Sequence, residues 1–276
     1  MAVVVSAVAC TAQDNPTAAP ATPAAPAPSN TIECGVFAAG DPTLDPVSKL
    51  CSFALTYRAK LPDFIARETT TSHGPKSIVV ITAQVTYRQG LQHYSQVAIN
   101  GKPVEPKNRM NVDLRLFTSG EFGPLLINLF EKPGAVEFTF KKTDTLLDQA
   151  VAMFDFHLPK SKNTFWAIRD AKGATVKPEF HGHLWLDVQT GHIVREEIDP
   201  VMDVWQNGIS AMKLSTDYSI TKVSDLGTFL LPVKSESNVC MSHLTMNLGC
   251  TKNITIFDDY RKFAATSRLL PADLEP

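Results

Sequence analysis

Beyond Pro62 the apolar side chains recur mostly at every second position, the pattern of strands with one face buried in a sheet. This spacing predicts strands over Phe64–Thr71, Ser77–Arg88 and Leu91–Ile99, with Gln89-Gly90 and Asn100-Gly101 as turns. Further strands are predicted over Ala135–Lys141, Val151–Leu158, Thr164–Arg169, Phe180–Val188, His192–Ile198, Ile209–Lys222, Thr228–Val239 and Asn253–Phe263. Gln189-Thr190-Gly191 and Asp225-Leu226-Gly227 join neighbours tightly. Two stretches carry helical spacing instead. Val47, Leu50, Ala54 and Tyr57 follow Asp45-Pro46, a cap and first-turn proline, and Leu61-Pro62 ends the run. Phe122, Leu125, Leu126, Leu129 and Phe130 predict a second helix over Ser119–Phe130, with Thr118 and Glu121 at capping-box spacing. Strands joined by short hairpins make an antiparallel meander, and the helices then have to cover one of its faces. The fold class is mainly β (α+β).

The first sixty residues read differently. Met1–Ala9 is apolar and small, and Ala7-Val8-Ala9 precedes Cys10, as at a signal-peptidase site or a bacterial lipobox. Ala7 stands where a lipobox usually has Leu, and no Lys or Arg precedes the segment. Residues 1–10 are therefore expected to be a truncated signal or lipobox-like segment, with Cys10 as the lipidation site. Residues 11–30, rich in Pro and Ala, cannot pack a core and are expected to form an extended tether. The β domain then covers residues 31–276. Setting Cys10 aside leaves four cysteines, an even number suited to an oxidising compartment. Their proximity favours Cys34–Cys51 and Cys240–Cys250, the second pair flanking the loop of the last hairpin, although spacing alone does not fix connectivity.

Charge narrows the function classes. A formal net charge of −2 offers no basic excess for a phosphate backbone, so no nucleic-acid partner is expected. The chain contains no GxSxG, HExxH or P-loop pattern, and no catalytic residues and no cofactor are assigned. His181-Gly182-His183 puts two imidazoles on one strand face, with Asp187 following and Glu196 or Glu197 across the hairpin. That spacing matches no zinc signature and reads as a solvated face, so no metal is assigned. Glu196-Glu197 and Asp258-Asp259 are likewise read as solvent-exposed, because neighbours in a strand point to opposite faces. Alternate apolar pairs are candidates for a cavity lining: Phe138 with Phe140, Phe154 with Phe156, Trp166 with Ile168, and Leu184 with Leu186. Each of these side chains equally suits the core beneath the helices.

One stretch carries a resemblance. Residues 182–195, GHLWLDVQTGHIVR, form a strand–turn–strand of the type GxLxLDxxTGxIxR. It resembles the hairpin of bacterial outer-membrane lipoprotein-carrier-like proteins, the LolA/LolB-like superfamily with its RseB-like relatives. Residues 57–69, YRAKLPDFIARET, and the run from Asp217-Tyr218 through Leu230-Leu231-Pro232-Val233 to Phe263 are similar to an exported set in Acidobacteria-type bacteria. Those relatives often have Cys where Ala66 stands, so their disulfide set differs. The resemblance covers roughly residues 47–268. It implies a strongly curved open antiparallel sheet, a half-barrel, with two or three helices on the concave side and an apolar cavity that holds acyl chains. The implied role is non-catalytic: a periplasmic protein binding a lipid or a lipidated protein; Cys10, if it is lipidated, adds membrane association through a lipid anchor and favours an anchored acceptor or sensor over a shuttle. The alternatives are an envelope protein-interaction or sensory module that binds another envelope protein and, behind it, an exported hydrolase.

Overall fold

The computed structural model describes residues 4–7, 34–37, 39–88, 90–104, 121–122, 124–130, 132, 134–169, 175–202, 209–243 and 246–263. The tether and Cys10 lie outside them, as does the Thr118 of the capping box. The strands are β1 (Val4–Ala7), β2 (Phe64–His73), β3 (Ile78–Arg88), β4 (Leu91–Ile99), β5 (Lys102–Pro103), β6 (Glu137–Leu146) and β7 (Gln149–Leu158). They continue as β8 (Trp166–Arg169), β9 (Thr175–Val176), β10 (Phe180–Asp187), β11 (Ile193–Pro200), β12 (Ile209–Lys222), β13 (Thr228–His243) and β14 (Met246–Lys262). Helix α1 spans Asp45–Lys60 and α2 spans Pro124–Asn128.

Eleven strands form one open antiparallel sheet in the order β5-β4-β3-β2-β14-β13-β12-β11-β10-β7-β6. One arm runs outward from β2 to β5; the other runs from β6 back to β14, which closes onto β2. Trp166 and Ile168 do not belong to this sheet, because β8 pairs with β1 and β9 in a small separate one.

Three differences from the sequence expectation have local causes. The hairpin β6–β7 is longer than expected because Leu147 and Asp148 make its turn, both at positive φ (49° and 61°) without a glycine to announce it. The last hairpin also runs on, to His243 and Met246, so Cys240 and Cys250 are direct cross-strand partners and do not flank a loop. The second helix is only Pro124–Asn128, with Glu121 in a turn ahead of it. A proline opens a helix well but supplies no N–H to extend it backward.

Both expected disulfides are present. Cys34–Cys51 (Cα–Cα 5.6 Å) ties the segment Cys34–Phe37 onto α1. Cys240–Cys250 (Cα–Cα 3.9 Å) rivets β13 to β14. Helix α1 buries Val47, Leu50, Cys51, Ala54 and Tyr57 against the sheet, and the Tyr57 hydroxyl donates to the Leu230 carbonyl. Phe122, Leu125, Leu126, Leu129 and Phe130 are buried in the same cluster. Phe122 packs its ring on Phe64, Phe257 and Tyr260, while Phe130 stacks on Phe138 at 5.6 Å. Central strands β2 and β14 and the edge strand β6 thus contact one short stretch of chain. The core lies between this face and the helices.

Candidate functional site on the helix-covered face

The hairpin of residues 182–195 also positions α1. Asp187 accepts hydrogen bonds at its Oδ1 from the backbone N–H of Gln189 (3.1 Å) and Thr190 (2.8 Å) and from the Thr190 hydroxyl (2.8 Å). These bonds satisfy turn donors and hold the Asp187 carboxyl below its ordinary range against the opposing effect of desolvation. Gly191 sits at φ +70°, where a Cβ would stand 2.5 Å from Lys49 Cβ and 2.9 Å from the Pro46 carbonyl. The glycine lets the turn press directly against the first turns of α1.

Cross-strand register then defines a single row across the helix-covered face. Its partners, strand by strand, are Phe140, Phe154, Leu184, Glu196, Thr216, Ser235, Thr255, Thr70, Ile81 and Ile99. Directly opposed residues share a face, so all ten point toward the helices. The flanks of the row are apolar and its middle is polar. The five central residues are buried, from Glu196 and Thr216 at 1% exposure to Thr255 at 5%. The Thr70 and Thr255 hydroxyls share a hydrogen bond of 2.8 Å, and Thr216 donates to Ser235 at 3.4 Å.

Three carboxyl groups meet this polar floor: Glu68 on β2, Glu196 on β11, and Glu121 ahead of α2, all at 4% exposure or less. Burial pushes Glu68 and Glu196 up to about 8, and the charge of Glu121 pushes both in the same direction. Thr70 reaches one Glu68 oxygen at 3.5 Å, while Glu68 Oε2 and both Glu196 oxygens complete no hydrogen bond. The Tyr218 phenol is buried beside Glu196. Near neutral pH both acids therefore favour the protonated form. The expectation that Glu196 is solvent-exposed is overturned. Alternation along β11 groups Val194, Glu196 and Ile198 on the apolar face, while Glu197 points outward to Lys213 at 2.7 Å. Glu68 escaped notice although it follows Phe64 and Ala66 at the same spacing. Period two was the signal in both strands; composition masked it.

All eight candidate lining residues fall within one hydrophobic cluster. Phe154, Phe156, Trp166, Ile168, Leu184 and Leu186 are fully buried there, and Phe138 and Phe140 pack against it half-exposed. Trp166 and Ile168 reach this cluster from β8, the Trp166 indole packing on Phe156 and Phe180.

No protein-family model and no curated protein matches the sequence. Solved structures do. A LolA superfamily protein from Nitrosomonas europaea aligns over 79% of this chain and 93% of its own, at 10% identity and a TM-score of 0.37. A DUF1329 family protein from Desulfovibrio piger aligns over 80% and 95%, at 7% identity and 0.40. The lipoprotein LppX of Mycobacterium tuberculosis aligns over 83% and 100%, at 9% identity and 0.30.

The face of the sheet away from the helices carries several paired charges. Arg195 grips Asp217 through two bonds, and Lys234 and Lys252 converge on Glu236. The histidines weighed as a metal set separate here. His183 bonds Asp155 at 2.8 Å, Asp187 serves the turn, and Glu196 lies on the opposite face. His181 turns instead to His157 and Glu179, as described below. Two clefts among the described residues have about 220 Å³ each. One is lined by residues including Arg67, Gln84 and Asp259, and the other by residues including Thr190, Tyr218 and Leu230; neither includes any of the eight apolar candidates.

Proposed function

We propose that this chain is an exported, non-catalytic envelope protein that receives an acyl chain, free or on a lipidated protein, against its helix-covered face. The observation behind this reading is the register row, apolar along β6, β7 and β10 and polar from β11 to β2. The tail would lie on Phe138, Phe140, Phe154, Phe156, Trp166, Ile168, Leu184 and Leu186, each buried methylene contributing about 0.8 kcal/mol. The head would meet the hydroxyl floor and the protonated Glu68 and Glu196, which donate to an ester, amide or carboxyl oxygen. An acyl chain needs a cavity of several hundred Å³. The site therefore opens by lifting segment 121–130 and α1 from the concave side of a half-barrel. In this reading residues 1–10 direct export, Cys10 carries the lipid anchor, residues 11–30 hold the domain away from the membrane, and the periplasm supplies the oxidising conditions for both disulfides.

Native mass spectrometry of the full-length protein and of the domain from Thr31, both taken from the envelope fraction, tests this. A covalent diacyl or triacyl mass on the full-length chain establishes the anchor. A non-covalent lipid on the domain, or uptake of a fluorescent fatty acid, supports the binding site; a lipid-free domain that takes up none removes it.

A second reading has its own support, since the eight apolar residues already pack in one cluster and, among the described residues, β5 and β6 are the end strands of the sheet. A protein-interaction or sensory module would keep that core filled and recruit another envelope protein at an edge or on the charged face. Co-purification of a discrete envelope protein with a lipid-free domain favours it.

A further inference from the structure

On the outer face, β7 and β10 place His157 and His181 directly opposite each other, and their rings stack at 4.5 Å and 2°. Glu179 precedes His181 by two residues and so lies on the same side of the strand. Its Oε1 stands 2.9 Å from His181 Nε2 and 3.2 Å from His157 Nε2, and one ligand atom from each of the three residues lies within 4.8 Å of the others. We propose that His157, Glu179 and His181 form a binding site for a divalent transition-metal ion of the zinc class.

Geometry is the first support. Zinc bonds of about 2.0–2.1 Å to nitrogen and oxygen set neighbouring tetrahedral ligands about 3.3 Å apart; the nitrogen–oxygen separations of 3.2 Å and 2.9 Å are near that size, and the two stacked rings would tilt apart to aim both Nε2 atoms at one ion. The second is an unmet donor. His157 Nε2 is buried and completes no hydrogen bond, despite its closeness to the carboxylate. The third is an outer shell: Glu137 Oε2 faces the far nitrogen of His157, Nδ1, at 3.8 Å, and Lys162 holds Glu137 at 3.3 Å. A carboxylate behind a ligating imidazole fixes its ring and its tautomer. Two imidazoles with one carboxylate favour zinc over calcium or magnesium, which prefer oxygen donors throughout. The three side chains are between one-third and about one-half exposed, which leaves a coordination position for water or for a group from another molecule.

The test uses the full-length protein stripped with a chelator, titrated with Zn²⁺ against a chromophoric competitor and with Co²⁺ for its visible absorption. The expected result is one ion per chain, a tetrahedral Co²⁺ spectrum, and binding weakened about tenfold or more in His157→Ala, His181→Ala and Glu179→Gln. His183→Ala, on the same strand but bonded to Asp155, keeps the parent affinity. Circular dichroism confirms that each variant is folded. Absence of a stoichiometric site, or binding that survives in His157→Ala/His181→Ala, overturns the proposal.

Discussion

The ring of Phe156 lies directly over Gly182: a Cβ built on the glycine would stand 2.3 Å from two ring carbons and 2.1 Å from the Glu197 carbonyl oxygen. Phe156 and Gly182 are cross-strand partners on the helix-covered face, so the missing side chain is the space that the ring fills. The first glycine of the GxLxLDxxTG hairpin is thus a packing residue. Gly182→Ala should destabilise the domain by about 2 kcal/mol or more, since both the ring and a backbone carbonyl would have to move. Thermal unfolding measures this, and an unchanged midpoint would show that the ring has room elsewhere.

The buried acids make stability depend on pH in an unusual direction. Glu68 and Glu196 are raised to about 8, so between their unfolded values and about 8 the folded chain holds more protons than the unfolded one. Their contribution is complete below pH about 4.5 and is lost as pH rises through about 8. The domain should therefore unfold more easily at pH about 9 than at about 6, by an amount on the order of a few kcal/mol. Glu196→Gln should flatten that slope. Urea midpoints at the two pH values, for parent and variant, decide the matter; parallel slopes would mean that Glu196 is not the group that titrates.

Asp187 holds its turn through three short bonds. Asp187→Ala should cost about 1 kcal/mol and speed hydrogen exchange at the Gln189 and Thr190 amides. Equal exchange rates in parent and variant would assign the turn to Gly191 alone.

The two disulfides should differ in weight. Chain entropy gives similar values, about 2–3 kcal/mol each, for separations of 17 and 10 residues. Cys240 and Cys250, however, face each other within a ladder that is already paired. Cys51 is fully buried in α1, and its bridge holds a segment whose Cys34 carbonyl accepts from Ser48. Replacing Cys34 and Cys51 by Ala should lower the melting midpoint further than replacing Cys240 and Cys250, and should expose Gly35–Leu44 to proteolysis first. Equal losses would argue that loop entropy accounts for both.

Much of this molecule was written into its alternation of apolar and polar residues. Period two located the long strands, helical spacing located α1, and proximity paired the four cysteines correctly, because each of these depends on neighbours a few residues apart. The turn at Leu147-Asp148 was silent because it uses no glycine. The second helix shrank because Pro124 supplies no donor to an earlier turn. What only the tertiary structure decided depends on which strands lie side by side. The row from Phe140 to Ile99 joins residues far apart in the chain, and three glutamates from distant segments meet beside it. The same holds for His157 and His181, separated by a loop and two short strands yet stacked across one pair of strands. A face is a local property that sequence period fixes, whereas a partner across the sheet is fixed by register, which the whole fold sets.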